Sequence, residues 1–136
     1  MDLRALRRYA EALEAIDSAE AFLTHARDSA YELAFVRWAR ALILFDTERY
    51  NEALRLSVAV ARSFEKCDDI EYANHVRILV GDICDAAGET EDAISMYLEL
   101  LKYFEAIGDE DIGRILRAKL ARCAGKVSND ETAQRR

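Results

Sequence analysis

The sequence predicts an all-α fold of about six consecutive helices, on three observations. Its 136 residues include no proline and only five glycines, whereas sandwiches and barrels need turns rich in both. Apolar residues recur at spacings of three and four over long stretches, the periodicity of helices with broad buried faces. Similar segments recur about 40 residues apart, which indicates an internal repeat. A chain of this length forms one domain.

Capping and turn residues separate the predicted helices. Ser29 and Glu32 have the spacing of a capping box, and two glycines stand where helices are expected to end. The remaining capping and turn residues are Thr47, Asp69, Gly88, Gly108 and Asp109. Helices are predicted at residues 3–7, 10–26, 30–46, 49–66, 70–87, 90–107 and 110–124, with a break near Arg8. Residues 1–125 are therefore expected to form one helical array, and the polar residues 126–136 a flexible C-terminal tail.

The repeat is visible in short matched segments. Phe64-Glu65 recurs as Phe104-Glu105 at an offset of 40, and the segment Tyr9 to Leu13 is echoed by Tyr50 to Leu54 at an offset of 41. Units of this kind stack into an α-solenoid, in which each repeat contacts its neighbours. The matched segments span nearly the whole chain.

The turn residues resemble those of the tetratricopeptide repeat. Tyr50 with Ala53 and Gly88 with Ala93 match its glycine, aromatic and alanine pattern, and a small residue stands twelve positions before each alanine, at Ala41 and Gly81. The common period of this family is 34, and the spacing of 40 resembles the variant in cell-polarity adaptors, kinesin light chains and maltose-activator-type regulators. Arginines replace the first aromatic, and the terminal proline is missing. HEAT and armadillo units of similar length are the alternative.

The resemblance implies a right-handed superhelix of antiparallel helix pairs, whose first helices line a concave groove. The positions carried over to this groove are Phe35, Trp38, Leu42, Phe45, His75, Ile78, Asp82, Asp85, Ile115, Lys119 and Arg122. The groove would be apolar, then acidic, then basic. The family's lysine and asparagine clamp for a terminal carboxylate is absent, so chaperone C-termini are not the expected ligand. Whether Trp38 and the phenylalanines are core residues or ligand anchors stays open.

The charge distribution favours a protein partner over nucleic acid. The chain holds 19 Lys and Arg against 26 Asp and Glu, a net charge of −7, whereas nucleic-acid binding needs a basic surface. Residues 65–111 are strongly acidic and residues 112–136 are basic. The acidic stretch suits a basic protein or peptide partner, and the basic stretch could meet the acidic stretch of a second copy.

Apolar residues near both termini suggest exposed ends of the array. The candidate assembly residues are Leu3, Leu6, Ile112, Ile115 and Leu116. A solenoid needs polar caps, so such ends indicate a homo-oligomer or a piece of a longer repeat array.

Catalytic and metal-binding motifs are not apparent in the sequence. It contains no phosphate-binding glycine loop, nucleophile elbow or zinc pattern, so neither an enzyme nor a cofactor is predicted. No membrane span or signal peptide is visible. The three cysteines lack the spacing of a disulfide framework or a zinc motif, which fits a protein of the reducing cytoplasm.

The predicted function is a non-enzymatic scaffold or adaptor that binds a partner's peptide or helix in the concave groove. Two alternatives remain: a self-assembling module or fragment of a larger regulator, and a small acidic secretion-type chaperone.

Overall fold

The computed structural model describes residues 2–134, which form α-helices and the turns between them. Its six α-helices are joined by short turns, and no strand occurs among the described residues. The helices are α1 (Leu3–His25), α2 (Ala30–Asp46), α3 (Tyr50–Lys66), α4 (Ile70–Ala86), α5 (Thr90–Ala106) and α6 (Glu110–Gln134). Consecutive helices pack together, α1 on α2, α2 on α3 and α5 on α6. The all-α prediction of consecutively packed helices is confirmed.

The five turns between helices repeat every 20 residues. Each contains a residue with positive φ, and these residues are Asp28, Glu48, Asp68, Gly88 and Gly108. In the last four turns the next amide donates a hydrogen bond to the carbonyl five residues earlier, as in a Schellman motif. These bonds join Arg49 to Leu44, Asp69 to Phe64, Glu89 to Cys84 and Asp109 to Phe104, at 2.8–2.9 Å. The 40-residue offset of the sequence is therefore two such helix-turn units.

Each of α3 to α6 also begins in the same way. The fourth helical residue donates its amide to the carbonyl of the residue before the helix, and it is small and buried. These residues are Ala53, Ala73, Ala93 and Gly113. A side chain no larger than a methyl group leaves room for a neighbouring helix to approach closely.

The three turn residues that are not glycine carry a cost that glycine would relieve. Glu48 has φ 63° and an exposed side chain, a conformation that crowds its Cβ. Glu48→Gly is expected to raise the free energy of unfolding by about 0.5–1 kcal/mol. Gly88→Ala, at φ 87°, is expected to lower it by about 1 kcal/mol. Urea denaturation measures both, and a loss of stability in Glu48→Gly would contradict the prediction.

Helix bounds predicted from the sequence hold for the four central helices and are wrong at the two outer ones. No break occurs near Arg8, because residues 3–25 form one helix that begins with the Asp2 carboxylate accepting the amide of Ala5 at 2.7 Å. Helix α6 continues to Gln134 rather than ending at Ala124, since residues 126–134 contain neither proline nor glycine. The tail predicted at residues 126–136 is thus helical as far as Gln134, and its last two residues lie outside the described range.

Two predicted caps are wrong and two are confirmed. The Ser29 hydroxyl donates to the carbonyls of Leu23 and Ala26 and makes no capping bond to α2. Thr47 likewise donates its hydroxyl back to the Ile43 carbonyl, so it ends α2 instead of starting α3. The carboxylates of Asp69 and Asp109 do accept the amides three residues later, at 3.0 and 3.1 Å.

The chain divides into two compact units, residues 1–76 and 77–136, and the division falls inside α4. Each unit has its own apolar core. The core of the first contains Ala34, Val60, Ala61, Phe64, Ala73 and Val76, and that of the second contains Ala93, Tyr97, Leu100, Phe104, Leu116 and Cys123. None of the described helices is both long and apolar enough to cross a membrane.

Candidate functional site

The residues predicted to line the groove fall into two sets, one in each unit. Phe35, Trp38, Leu42, Phe45 and His75 belong to the first unit. Ile78, Asp82, Asp85, Ile115, Lys119 and Arg122 belong to the second. The first set consists mainly of aromatic residues, and the second mainly of charged residues.

In the first unit an aromatic cluster joins α2, α3 and α4. Phe35 lies 4.9 Å from both Phe64 and Tyr72, measured between ring centroids, with the rings at steep angles. Trp38 lies 6.1 Å from Phe64 and 6.3 Å from Tyr72. Edge-to-face arrangements at these distances are the favoured geometry of aromatic pairs. Phe64 is fully buried, so the cluster extends from the core outward.

The outer side of this cluster, hereafter the aromatic patch, is partly open. Phe35 and Trp38 are half-buried and pack against the core, which makes them core residues in part. Leu42 is 44% exposed one helical turn after Trp38, and Tyr72 is 39% exposed. His75 adds its ring 6.2 Å from Tyr72. The indole Nε1 of Trp38 is itself buried and has no hydrogen-bond partner among the described residues.

Phe45 does not join the aromatic patch. Its ring lies 6.0 Å from that of Tyr50, so these two residues bracket the turn between α2 and α3. Tyr72, by contrast, was not among the predicted site residues, because only the equivalents of family groove positions were chosen. Its place one helical turn before His75 is the sequence signal that could have found it.

In the same unit as the aromatic patch, Tyr31 of α2 donates its hydroxyl to the Asp69 carboxylate at 2.7 Å. Because this bond holds the phenol in its neutral form, it raises the pKa of Tyr31 to about 12. The same bond, with the amide of Tyr72 as a second donor, lowers the pKa of Asp69. Asp69 thereby links the start of α4 to α2.

The Tyr31–Asp69 bond is expected to make stability fall at high pH. A tyrosine whose pKa is raised on folding stabilises the fold below its unfolded pKa of 10.0, and this contribution is lost as the pH rises through about 12. In Tyr31→Phe the free energy of unfolding should therefore fall less between pH 10 and 12 than in the wild type. Urea denaturation at a series of pH values measures both slopes, and equal slopes would refute the prediction.

In the second unit Asp82 connects α4 with α5 and α6. Its Oδ1 accepts the hydroxyl of Tyr97 at 2.5 Å and the ammonium of Lys119 at 2.8 Å. The Lys119 Nζ also lies 6.0 Å from the centroid of the Tyr97 ring. Burial, and then the hydrogen bond to Asp82, raises the pKa of Tyr97 well above its ordinary value. Charged partners strengthen such hydrogen bonds.

Asp85, one turn further along α4, has its carboxylate contacted, among the described residues, by groups of α6. Lys126 contacts its Oδ1 at 2.8 Å, and Arg122 approaches its Oδ2 at 3.8 Å. The Sγ of Cys123 lies 3.7 Å from Oδ1, and burial, reinforced by the Asp85 charge, raises the pKa of that thiol. The carboxylate is only 9% exposed.

The acidic and basic groove positions of the second unit thus pair with each other. The sequence placed Asp82 and Asp85 in one charged surface and Lys119 and Arg122 in another, each free to meet a partner. The structure instead pairs Asp82 with Lys119 and Asp85 with Arg122, in an ion-pair network on two successive turns of α4. Tyr97 and Lys126 also belong to it, and the sequence analysis missed them. The effect of these ion pairs is to compensate the largely buried carboxylate charges within the unit.

The predicted assembly residues differ in exposure. Leu3 is 85% exposed, and Leu6 and Ile115 are each about half exposed, as expected of open ends. Ile112 is half-buried against the second core. The prediction that Leu116 is exposed is wrong, because Leu116 lies on the face of α6 that packs on α5 and is fully buried.

Comparison of the chain with protein-family models, with curated proteins and with solved structures found no match in any of the three.

Proposed function

We propose that this protein is a non-enzymatic interaction module, similar to a tetratricopeptide repeat, that binds a peptide or helix of a partner protein at the aromatic patch. The observation that carries the proposal is the exposure of Leu42 and Tyr72 beside the half-buried rings of Phe35 and Trp38. Aromatic side chains anchored in a core and open on one side are the usual centres of protein interfaces. The 20-residue period of helices and turns supports a repeat architecture that presents such a surface.

The patch also indicates what the partner looks like. Its apolar surface suits a segment with leucine or aromatic anchors at helical spacing. Asp68 and Glu71 are exposed beside Tyr72, so basic residues next to the anchors would add favourable charge pairs. Asp82, Asp85 and Lys119 of the second unit play no part in this site, because their charges are already paired. The three cysteines are free thiols, which fits a protein of the reducing cytoplasm.

The test is selection from a phage-displayed library of random peptides, followed by titration of one enriched peptide. Trp38 is the only tryptophan, so its fluorescence reports binding at the patch directly. Leu42→Glu places a charge in the patch at an exposed position and is expected to weaken peptide binding at least about tenfold without unfolding the protein.

Leu98→Glu is the matched control. Leu98 lies on α5 in the second unit and is 48% exposed, close to Leu42 in exposure, and its replacement should leave the affinity unchanged. The proposal fails if no peptide is enriched over an unrelated protein, if the enriched peptide binds Leu42→Glu as tightly as the wild type, or if Leu98→Glu weakens binding equally.

A further inference from the structure

Helices α1 and α6 occupy complementary positions in the repeat. At offsets of 40 residues α1 corresponds to α3 and α5, and α6 corresponds to α2 and α4. Within the first unit α3 packs on α2, and within the second Tyr97 of α5 covers Gly81 and Asp82 of α4. In both cases the helix that packs on its neighbour is α3 or α5, which correspond to α1, and the helix beneath it is α2 or α4, which correspond to α6. The outer face of α6 is therefore shaped like a surface that a helix of the α1 type covers elsewhere in the chain.

The equivalent positions on α6 and α1 are exposed. Forty residues after Gly81 and Asp82 stand Ala121 and Arg122, and the Arg122 side chain is 58% exposed although it approaches Asp85 at 3.8 Å. Eighty residues before Tyr97 stands Asp17, whose side chain is 66% exposed although Arg40 contacts it. The pair Asp82–Tyr97 thus corresponds to a pair of Arg122 with Asp17, an ion pair of opposite charges.

The charges around these two positions are also complementary. On α1, Glu14 lies one turn before Asp17, is exposed, and forms no ion pair with any described residue. On α6, Arg114 and Arg117 lie one to two turns before Arg122 and are well exposed. Their contacts with acidic neighbours are long, at 3.6 Å, so these arginines remain accessible to a further carboxylate. An acidic stretch of α1 thus matches a basic stretch of α6.

Sterically, the outer face of α6 permits close approach. Between the arginines lie Ala118, Ala121 and Gly125, all exposed, and an added Cβ at Gly125 would meet nothing within 4 Å. The exposed Ile115 provides an apolar contact on the same face. A helix could therefore lie on this face with its charged side chains reaching the arginines on either side.

We propose that a second copy of this chain is the occupant, with the outer face of its α1 packed antiparallel on the outer face of α6. In this arrangement Glu14 and Asp17 of one copy face Arg122 of the other. The contact uses different surfaces on the two copies, α1 of one and α6 of the other. Charge complementarity and the shared 40-residue register favour a second copy over an unrelated protein.

The contact is independent of the aromatic patch. Neither Leu42 nor Tyr72 lies on α1 or α6, so failure of one proposal leaves the other unaffected. An association held by surface charges should also weaken as salt is raised, because ions screen exposed pairs.

The experiment measures the mass of the protein by sedimentation velocity and light scattering over a wide concentration range. The wild type is expected to exceed the monomer mass at high concentration and low salt, and to return towards it in high salt. Glu14→Arg and Arg122→Glu should each weaken association at least about tenfold, because like charges then face each other. An equimolar mixture of the two variants should associate again, since the reversed α1 of one meets the reversed α6 of the other.

Two controls separate this result from loss of folding or a general charge effect. Arg114→Glu alters the same face of α6 at a residue that does not contact Asp85, and should also weaken association. Arg62→Glu makes the same charge change at an exposed position on α3 and should not. Circular dichroism checks that every variant stays helical. A wild type that is monomeric throughout, an oligomer that either reversal leaves intact, or a mixture that fails to reassociate would overturn the proposal.

Discussion

Leu116→Glu is expected to unfold most of the protein, whereas Ile115→Glu should leave its stability almost unchanged. The two residues are adjacent in α6 but differ by about 100° in direction around the helix axis. Leu116 is fully buried in the second core, and Ile115 is 46% exposed. A glutamate at position 116 loses the apolar contacts of leucine and must bury a carboxylate or displace the helix, a loss of about 4 kcal/mol or more. Domains have a total stability of only about 5–15 kcal/mol.

Thermal and urea denaturation, followed by circular dichroism at low protein concentration, measure this difference. For Ile115→Glu the free energy of unfolding should stay within about 0.5 kcal/mol of the wild type. Leu116→Met serves as a volume-conserving control and should cost less than about 1.5 kcal/mol. Similar losses in the two glutamate variants would mean that α6 does not pack on α5 through Leu116.

The same pair of residues shows what the sequence could and could not predict. Periodicity located the helix that carries both, and its predicted start at residue 110 is correct. It did not identify which of these residues are buried, because Ile112, Ile115 and Leu116 form one apolar stripe about 100° wide and the choice depends on where α5 lies. Local patterns predict that a helix has an apolar face, and only the neighbouring helix decides which residues that face includes.

The ion-pair network of the second unit was missed for a similar reason. Asp82 and Lys119 are 37 residues apart, and each was interpreted from the charge of its own stretch of sequence. The repeat places them on α4 and α6, where they contact directly and α5 contributes the Tyr97 hydroxyl as a second donor to Asp82. Stretches that are like-charged in sequence therefore pair with each other in the fold. Pairing of this kind depends on tertiary contacts, which composition and charge runs do not contain.

Turn chemistry was predictable only where glycine marks it. Gly88 and Gly108 were expected to end helices and do so with positive φ. Asp28, Glu48 and Asp68 adopt the same conformation in the equivalent turns without a distinctive residue. The 20-residue period was consequently recognised from the sequence only as a repeat of 40.

Gly81→Ala is expected to destabilise the protein, although alanine normally favours a helix over glycine by about 1 kcal/mol. A Cβ on Gly81 would lie 2.5 Å from Cε1 and 2.9 Å from Cδ1 of Tyr97. The ring cannot move aside easily, because Tyr97 is fully buried and its hydroxyl is bonded to Asp82. Overpacking of this kind costs about 1–3 kcal/mol, which outweighs the gain in helix propensity. We therefore expect a net fall of up to about 2 kcal/mol in the free energy of unfolding.

Gly125→Ala is the matched control, since Gly125 also lies inside a helix but an added Cβ would meet nothing within 4 Å. It should gain up to about 1 kcal/mol, so the two identical substitutions are expected to have opposite signs. A Tyr97→Leu background gives a second check. With the ring removed, Gly81→Ala should become neutral or stabilising, because the steric conflict is a property of the pair. Urea denaturation of the four variants measures these differences. If Gly81→Ala and Gly125→Ala changed the free energy of unfolding equally, the Tyr97 ring would not lie against Gly81.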